Sequence, residues 1–285
     1  MIAAIGSYCD ARAGGGSWHV RIDDIDTPRI VSGSADEILR ALEAFCLEWD
    51  GRPVYQSRHR DAYHQALHLL RAEGHVFACS CSRKEVSKAG MSGPVGPVYP
   101  GTCRNGLRPG QTARSLRLRM DNAARCTFND ALQGPICQDL ASEVGDFVVY
   151  RSDGIFSYHL ACVVDDAQQN ITHVVRGADL IDSTPRQIHL QHLLGLSTPS
   201  YLHLPVATNH DGEKLSKQTR AAPVDAARAG ETIYGVLRFL GQQPPVELAH
   251  WSTRSAIDWA VKAWRRDKLP DAHAIELPLP YRSPA

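Results

Sequence analysis

HLPVATNHDGEKLSKQ, residues His203 to Gln218, is the stretch from which the fold is read. The apolar run Leu202 to Ala207 has the make-up of a buried strand, Asn209-His210-Asp211-Gly212 is a turn cluster, and Lys214 and Lys217 follow on either side of Leu215-Ser216. Strand, turn and cationic loop is the expected order. Two ammonium groups at the end of a buried strand can clamp a polyphosphate, because each is a mobile point charge with three donors. An isolated pair of this spacing is more often a solvated loop, so the rest of the chain has to decide.

The 285 residues, 43% of them hydrophobic, suffice for one substantial core and a small inserted or appended domain. Lys and Arg number 31 and so do Asp and Glu, so no global field recruits nucleic acid, although a local basic face suffices for an RNA partner. Eight cysteines (Cys9, Cys46, Cys79, Cys81, Cys103, Cys126, Cys137 and Cys162) fall mostly singly in apolar patterns, as reduced thiols do. No stretch reads as a secretory leader, and no apolar run approaches the roughly 18 residues of a membrane span, so a cytoplasmic chain is expected.

Upstream of the quoted stretch, strands alternate with helices. Ile2, Ile5, Cys9 and Ala13 share a helical face that Gly14 to Gly16 ends. Trp18 to Ile22 reads as a short strand running into Asp23-Asp24-Ile25-Asp26, and carboxylates at that end of a strand fall where open α/β sheets bind ligands. Ser34-Ala-Asp-Glu37 predicts a capping box opening a helix to about Leu47. Val54-Tyr55 reads as a strand and Arg58 to Glu73 as a helix. Farther on, Ile155 to Val164, ending in Asp165-Asp166, and His173 to Arg176 read as strands, and Ser183-Thr184-Pro185 starts a helix that Gly195 closes. The alternation predicts βαβ units and a largely parallel sheet.

Residues 76–145 break the alternation. Cys79 and Cys81 are followed by a Gly/Pro-rich loop, Gly90 to Pro100, and by Cys103. Zinc favours thiolates in tetrahedral sites, and a loop this poor in apolar residues gains its order from a metal. A Cys79–Cys81 disulfide would be geometrically awkward across one residue. For a fourth ligand the residues leave His75 and Tyr99 open, and three unrelated reduced cysteines is the plainer reading. From Arg114 to Arg151 strands are expected, with Leu116 and Leu118 alternating with Arg117 and Arg119.

Six stretches in order, VRIDDIDTPR (20–29), EWDG (48–51), YQSRHRDAY (55–63), VGDFVVYRSDGIFSYHLACVVDD (144–166), THVVRGADLIDSTPRQI (172–188) and HLPVATNHDGEKLSKQ, resemble the glutamyl-queuosine tRNA(Asp) synthetases. These are shortened relatives of glutamyl-tRNA synthetase in class I, and KLSKQ is similar to the class signature KMSKS. The similarity runs from residue 1 to about 225. It implies an α/β class I fold, a Rossmann-like parallel sheet with a zinc-binding insertion and a small C-terminal helical domain. The implied divisions are 1–75 and 146–225 for the two halves of the nucleotide-binding fold, 76–145 for the insertion, and 226–285 for the helical region. The implied activity is tRNA-independent activation of glutamate with ATP and Mg2+, then transfer of glutamate to the queuosine base in the anticodon loop of tRNA(Asp), by a monomer.

The resemblance also implies roles. Lys214, Leu215, Ser216 and Lys217 would bind ATP, with Lys217 and Lys214 acting in catalysis; Asp23, Tyr158 and Arg176 would bind glutamate; Cys79, Cys81, Tyr99 and Cys103 would bind zinc, which decides for Tyr99 over His75. Asp23 stands where the family has glutamate, and Cys162 where full glutamyl-tRNA synthetases tend to have asparagine. The sixty residues after the core are too few for their anticodon-binding region. The family's RFAPSPTG-type strand and HIGH-like signature are absent from this sequence, and the expectation is a start lying upstream. A noncatalytic, zinc-stabilised tRNA-binding remnant and a shortened glutamyl-tRNA synthetase are the alternatives.

Overall fold

Helix α1 (Ile2–Ala13) stops at Gly14, as its sequence predicts. Strand β1 is shorter than expected, Arg21–Ile22, and pairs in parallel with β2 (Val54–Tyr55). Helix α2 (Ser34–Ala44) lies between them, and α3 (Arg60–Ala72) follows. The computed structural model describes residues 1–120, 124–215 and 225–277.

The predicted capping box at Ser34 does not form. Gly33, at φ 79°, is the N-cap, and no side chain caps that helix. Only a residue tolerant of positive φ turns the chain there, which moves Ser34 inside the first turn. A true box opens α4 (Arg83–Ala89), where Ser82 Oγ accepts from the Glu85 amide at 3.2 Å and Glu85 Oε2 accepts from the Ser82 amide at 2.7 Å.

The chain from β3 (Val76–Cys79) to β9 (Val148–Tyr150) is largely antiparallel. A minimal hairpin, β4 (Ser92–Gly93) with β5 (Gly96–Pro97), precedes β6 (Ser115–Leu118), which pairs with both β3 and β9. The hairpin of β7 (Arg125–Asp130) and β8 (Gly134–Asp139) leads through the short α5 (Leu140–Glu143).

Ile155 to Val164 is not a strand: α6 covers Tyr158–Gln168, N-capped by Ser157 Oγ. Leu160, Ala161, Cys162, Val163 and Val164 are all buried. A helix apolar on every side loses the 3.6-residue alternation, and its run then reads like a buried parallel strand. Strand β10 (His173–Gly177) and helix α7 (Thr184–Leu193) match expectation. Strand β11 (Ser200–Leu204) pairs in parallel with β10, His173 opposite Ser200 through Gly177 opposite Leu204. Pro205, with no amide proton to give, separates β11 from β12 (Val206–Thr208). After α8 (Ala229–Phe239) and α9 (Thr253–Ala263), β13 (Ala274–Glu276) returns to pair in parallel with β12.

Parallel pairing is therefore present, but among the described residues it does not run through one sheet. The β1/β2 and β10/β11 pairs are separate, and a cavity of about 690 Å³ lined by Trp18, Arg21, Tyr158, Val174 and Arg176 lies beside both. Two large cores flank this region. One joins α1, α2, α8 and α9 through Ile5, Phe45, Leu47, Leu204, Leu237 and Ile257; the other joins α3, α6, α7 and the antiparallel strands through Tyr63, Leu70, Leu118, Leu160 and Ile188. A third, small core holds Phe77, Cys79, Val86, Tyr99 and Cys103.

Candidate active site and metal centre

Strand β10 delivers Arg176 to the edge of the cavity, and every hydrogen-bonding partner of its guanidinium is neutral. Nε donates to His203 Nε2 (3.1 Å), Nη1 to Tyr158 Oη (3.5 Å), and Nη2 to Thr184 Oγ1 (2.7 Å), Gln187 Oε1 (2.8 Å) and the Leu180 carbonyl (3.4 Å). Among the described residues no carboxylate pairs with it. A partly buried guanidinium held this way keeps its full charge for an incoming anion, and its fork matches a carboxylate. Tyr158, at the first turn of α6, stays a protonated phenol, because burial first, and then the neighbouring Cys162, push its pKa above the ordinary value.

Tyr158 and Arg176 thus come together, as the sequence predicts. Asp23 does not join them directly. It accepts from Arg21 Nε at 2.8 Å, and Arg21 also donates to Asp166 Oδ1 at 2.5 Å and to Cys162 Sγ at 3.1 Å. Burial raises the Asp166 carboxyl, against the pull of Arg21. Burial likewise pushes the Cys162 thiol up to about 12, so position 162 offers a neutral sulfur. Asp23 and Tyr158 share the wall of a second cavity, about 1000 Å³, where Arg29, Arg114, Arg151 and Arg186 also lie.

Of the predicted phosphate-binding loop, Lys214 and Leu215 are described, and Ser216 and Lys217 lie outside the described residues. The Leu215 amide bonds back to the Ala207 carbonyl at 2.9 Å, and Asn209 Oδ1 accepts from the amides of Asp211 and Glu213. This side-chain turn folds the loop onto β12. Lys214 Nζ reaches Asp179, beside a cavity of about 540 Å³ that Arg176, Gly177 and Leu204 also line.

The cysteine cluster passes a test of shape. A tetrahedral zinc with Zn–S near 2.3 Å sets its sulfurs about 3.8 Å apart, and a phenolic oxygen somewhat closer. Cys81 and Cys103 Sγ are 3.7 Å apart, Tyr99 Oη lies 3.4 Å from Cys79 Sγ and 3.6 Å from Cys81 Sγ, and all three sulfurs fall within 4.8 Å of one another. His75 instead faces Glu73, at 3.4 Å. The buried Arg117 donates to Cys79 Sγ at 3.3 Å and lies 4.0 Å over the Tyr99 ring, so a cation already offsets the charge that bound thiolates would bring. Against burial, which pushes it up, hydrogen bonds from Tyr99 and Ser80 bring the Cys103 thiol down to about 6. The three thiols and the phenol can hold one zinc ion.

Residues 2–235 match the family described as tRNA synthetases class I (E and Q), catalytic domain. The Glutamyl-Q tRNA(Asp) synthetase of Aromatoleum aromaticum is 52% identical over 278 residues, 98% of this chain and 88% of that protein. That of Dechloromonas aromatica is 51% identical over 98% of this chain and 93% of its own length. The chain belongs to the Glutamyl-Q tRNA(Asp) synthetase family. Among solved structures, glutamate-tRNA synthetase from Elizabethkingia anophelis superposes with a TM-score of 0.79 at 22% identity, over 98% of this chain and 65% of that one, which establishes a shared α/β fold. As a class I synthetase the chain is a ligase.

Arg21, Asp166, His203, Asp130 and Arg117 are the side chains of this ligase that sequence reasoning did not assign. Asp165-Asp166 was visible as a polar pair ending an apolar run, but only α6 reveals that the two diverge. Asp165, fully buried, binds Gln56, His59 and Tyr63 and lies 3.8 Å from Arg21 Nε, whereas Asp166 accepts directly from Arg21 Nη1. No signal in the sequence links Asp130 to His203, 73 residues away.

Proposed function

We propose that the chain activates glutamate with ATP, without tRNA, and transfers it to the queuosine base in the anticodon loop of tRNA(Asp). The observation that carries the reading is Arg176: a guanidinium whose partners among the described residues are all neutral, beside a protonated Tyr158, in a chain about half identical to Glutamyl-Q tRNA(Asp) synthetases. In this reading Arg176 and Tyr158 hold a carboxylate of glutamate, and Asp23, with Asp166 nearby, faces the ammonium. The reacting carboxylate oxygen attacks the α-phosphorus of ATP, the bond to pyrophosphate breaks, and a glutamyl adenylate forms. Lys214, Leu215, Ser216 and Lys217 bind ATP and its Mg2+, the lysines offsetting the charge that develops on the leaving pyrophosphate.

Zinc on Cys79, Cys81, Tyr99 and Cys103 has a structural task, ordering the loop between β3 and β6. Residues 1–75 and 146–225 form the two halves of the nucleotide-binding fold, 76–145 the insertion and 226–285 a small helical region. The working form is a cytoplasmic monomer. No described helix is long and apolar enough to cross a membrane.

The test is glutamate-dependent ATP–pyrophosphate exchange without tRNA, followed by transfer of labelled glutamate to tRNA(Asp) with and without queuosine. Exchange with label only on the queuosine-bearing tRNA is the expected result. Label on tRNA(Glu) would establish a shortened glutamyl-tRNA synthetase instead, and no exchange from the zinc-loaded protein would end the catalytic reading.

A further inference from the structure

Arg176 is aimed by a relay that begins in the antiparallel region. His203, on β11, is completely buried, and its ring stacks on Tyr201 with centroids 6.1 Å apart. Its Nε2 meets Arg176 Nε at 3.1 Å and Thr184 Oγ1 at 3.1 Å, and its Nδ1 meets Asp130 Oδ2 at 2.6 Å. An arginine Nε–H can only donate, so Nε2 must accept and the ring proton must sit on Nδ1, facing Asp130. The other oxygen of Asp130 is fixed too. Oδ1 accepts from the amides of Leu132 (3.0 Å), Gln133 (2.9 Å) and His203 (3.2 Å), at the tip of the β7/β8 hairpin. Gln133 closes the contact by donating to the His203 carbonyl at 2.9 Å.

We propose that Asp130 and His203 are positioning residues for Arg176: the carboxylate fixes the histidine tautomer, and the tautomer turns the guanidinium so that its Nη1 edge faces Tyr158 and the substrate cavity. This rests on the reading of Arg176 as the carboxylate binder. It assigns the β7/β8 hairpin, which carries no substrate-binding group in that reading, a share in glutamate affinity. A buried carboxylate that sets a histidine tautomer is an established device in other enzymes. Here the histidine takes no proton from substrate, because its free nitrogen is occupied by Arg176 and Thr184.

Asp130→Asn separates positioning from packing, because the substitution is isosteric. Three backbone amides demand an acceptor at the Oδ1 position, so the new NH2 group must point at His203 Nδ1. Nδ1 then becomes the acceptor, the proton moves to Nε2, and two donors collide at Arg176. In the full-length protein, 15N-detected spectra of the histidine ring are expected to report Nδ1–H in the wild type and Nε2–H in Asp130→Asn, with the Arg176 Nε–H signal losing its protection from exchange. In pyrophosphate exchange the glutamate KM should rise about ten- to a hundredfold, the equivalent of one hydrogen bond to a charged group, with the ATP KM unchanged. His203→Gln, whose amide oxygen can replace Nε2 as acceptor, should restore much of the glutamate affinity that His203→Leu loses.

An Nε2–H ring in the wild type, or an unchanged Arg176 signal in Asp130→Asn, overturns the relay. So does a flipped tautomer with an unchanged glutamate KM. The spectra need no substrate, so a wild type that fails to activate glutamate would refute the proposed function while the relay is judged on its own signals.

Discussion

The sulfur knot at Cys79, Cys81 and Cys103 and the guanidinium knot at Arg176 are both partly buried clusters of polar groups, but they stand on very different supports. Among the described residues, Arg176 lies beside two cores that each bury twenty hydrophobic residues, whereas the knot rests on a core of five buried ones, three of which are its own candidate ligands, Cys79, Tyr99 and Cys103. Phe77 and Val86 are the remainder, and burying two such side chains contributes about 3–6 kcal/mol. Ordering the roughly 25 residues from Cys79 to Cys103 costs about 1–2 kcal/mol each in backbone entropy alone. In the proposed reading a metal supplies the difference for the knot, and the guanidinium knot needs none.

The largest expected effect tests that difference. The purified protein should carry one zinc ion by elemental analysis, and Cys103→Ser or a strong chelator should remove it. Metal binding of this kind is worth about 10–16 kcal/mol in peptides that fold around zinc, so amides between residues 80 and 107 should lose nearly all hydrogen-exchange protection. Amides in α9 should keep theirs. Equal loss in both places would show that the knot is part of the main fold and would erase the comparison.

Next in size is Arg176→Ala. Removing a fork of two charge-assisted hydrogen bonds should lower kcat/KM for glutamate in pyrophosphate exchange by about 10²–10³, with zinc content unchanged. Arg176→Lys should recover only a small part, because an ammonium cannot present two parallel donors. Full recovery by lysine would mean that the site needs charge and not geometry.

These two regions were unequally legible in the sequence. The C-x-C spacing and the later Cys103 announced that these thiols could meet, because residues able to share a metal often cluster along the chain; Tyr99 beside them carries no spacing rule and could not be picked out that way. Arg176 stood out only through a resemblance, and its supports, His203 and Asp130, did not stand out at all, because a buried histidine reads like any core residue until its partner from a distant hairpin is known. The strand reading of Ile155 to Val164 failed for a related reason: a helix buried on every side has no periodic face. The β1/β2 and β10/β11 pairs were each legible as parallel strands, but their separation is a property of packing between elements, which local pattern does not encode.

A smaller effect distinguishes the regions by pH. His159 is held down to about 3 by burial, reinforced by Arg186 and Arg176, and His203 is lowered chiefly by burial, against the pull of Asp130. Both stay neutral in the folded chain, while in the unfolded chain each binds a proton below about pH 6.5. Stability from these groups is therefore fully present above that value and is lost as pH falls, at no more than about 1.4 kcal/mol per pH unit per histidine. Urea midpoints measured between pH 7.5 and pH 5 should slope accordingly, and His159→Gln should flatten the slope by one histidine's share. A variant as steep as the wild type would place the acid sensitivity elsewhere, in the thiolates of the knot.

The smallest effect concerns Lys214 and Asp179, whose side chains are 52% and 32% exposed. An ion pair so open to water gains little from Coulomb attraction, because solvent screens it and both side chains lose freedom in forming it. Asp179→Asn should accordingly change stability by no more than about 0.5 kcal/mol, read as an unchanged urea midpoint. The ATP KM should stay the same or fall slightly, since the loop keeps the Lys214 charge and loses only one opposing carboxylate. A clear loss of stability would mean that this contact, unlike the other exposed pairs of the surface, belongs to the same supporting structure as Arg176, and the guanidinium knot would then extend to the lysine loop itself.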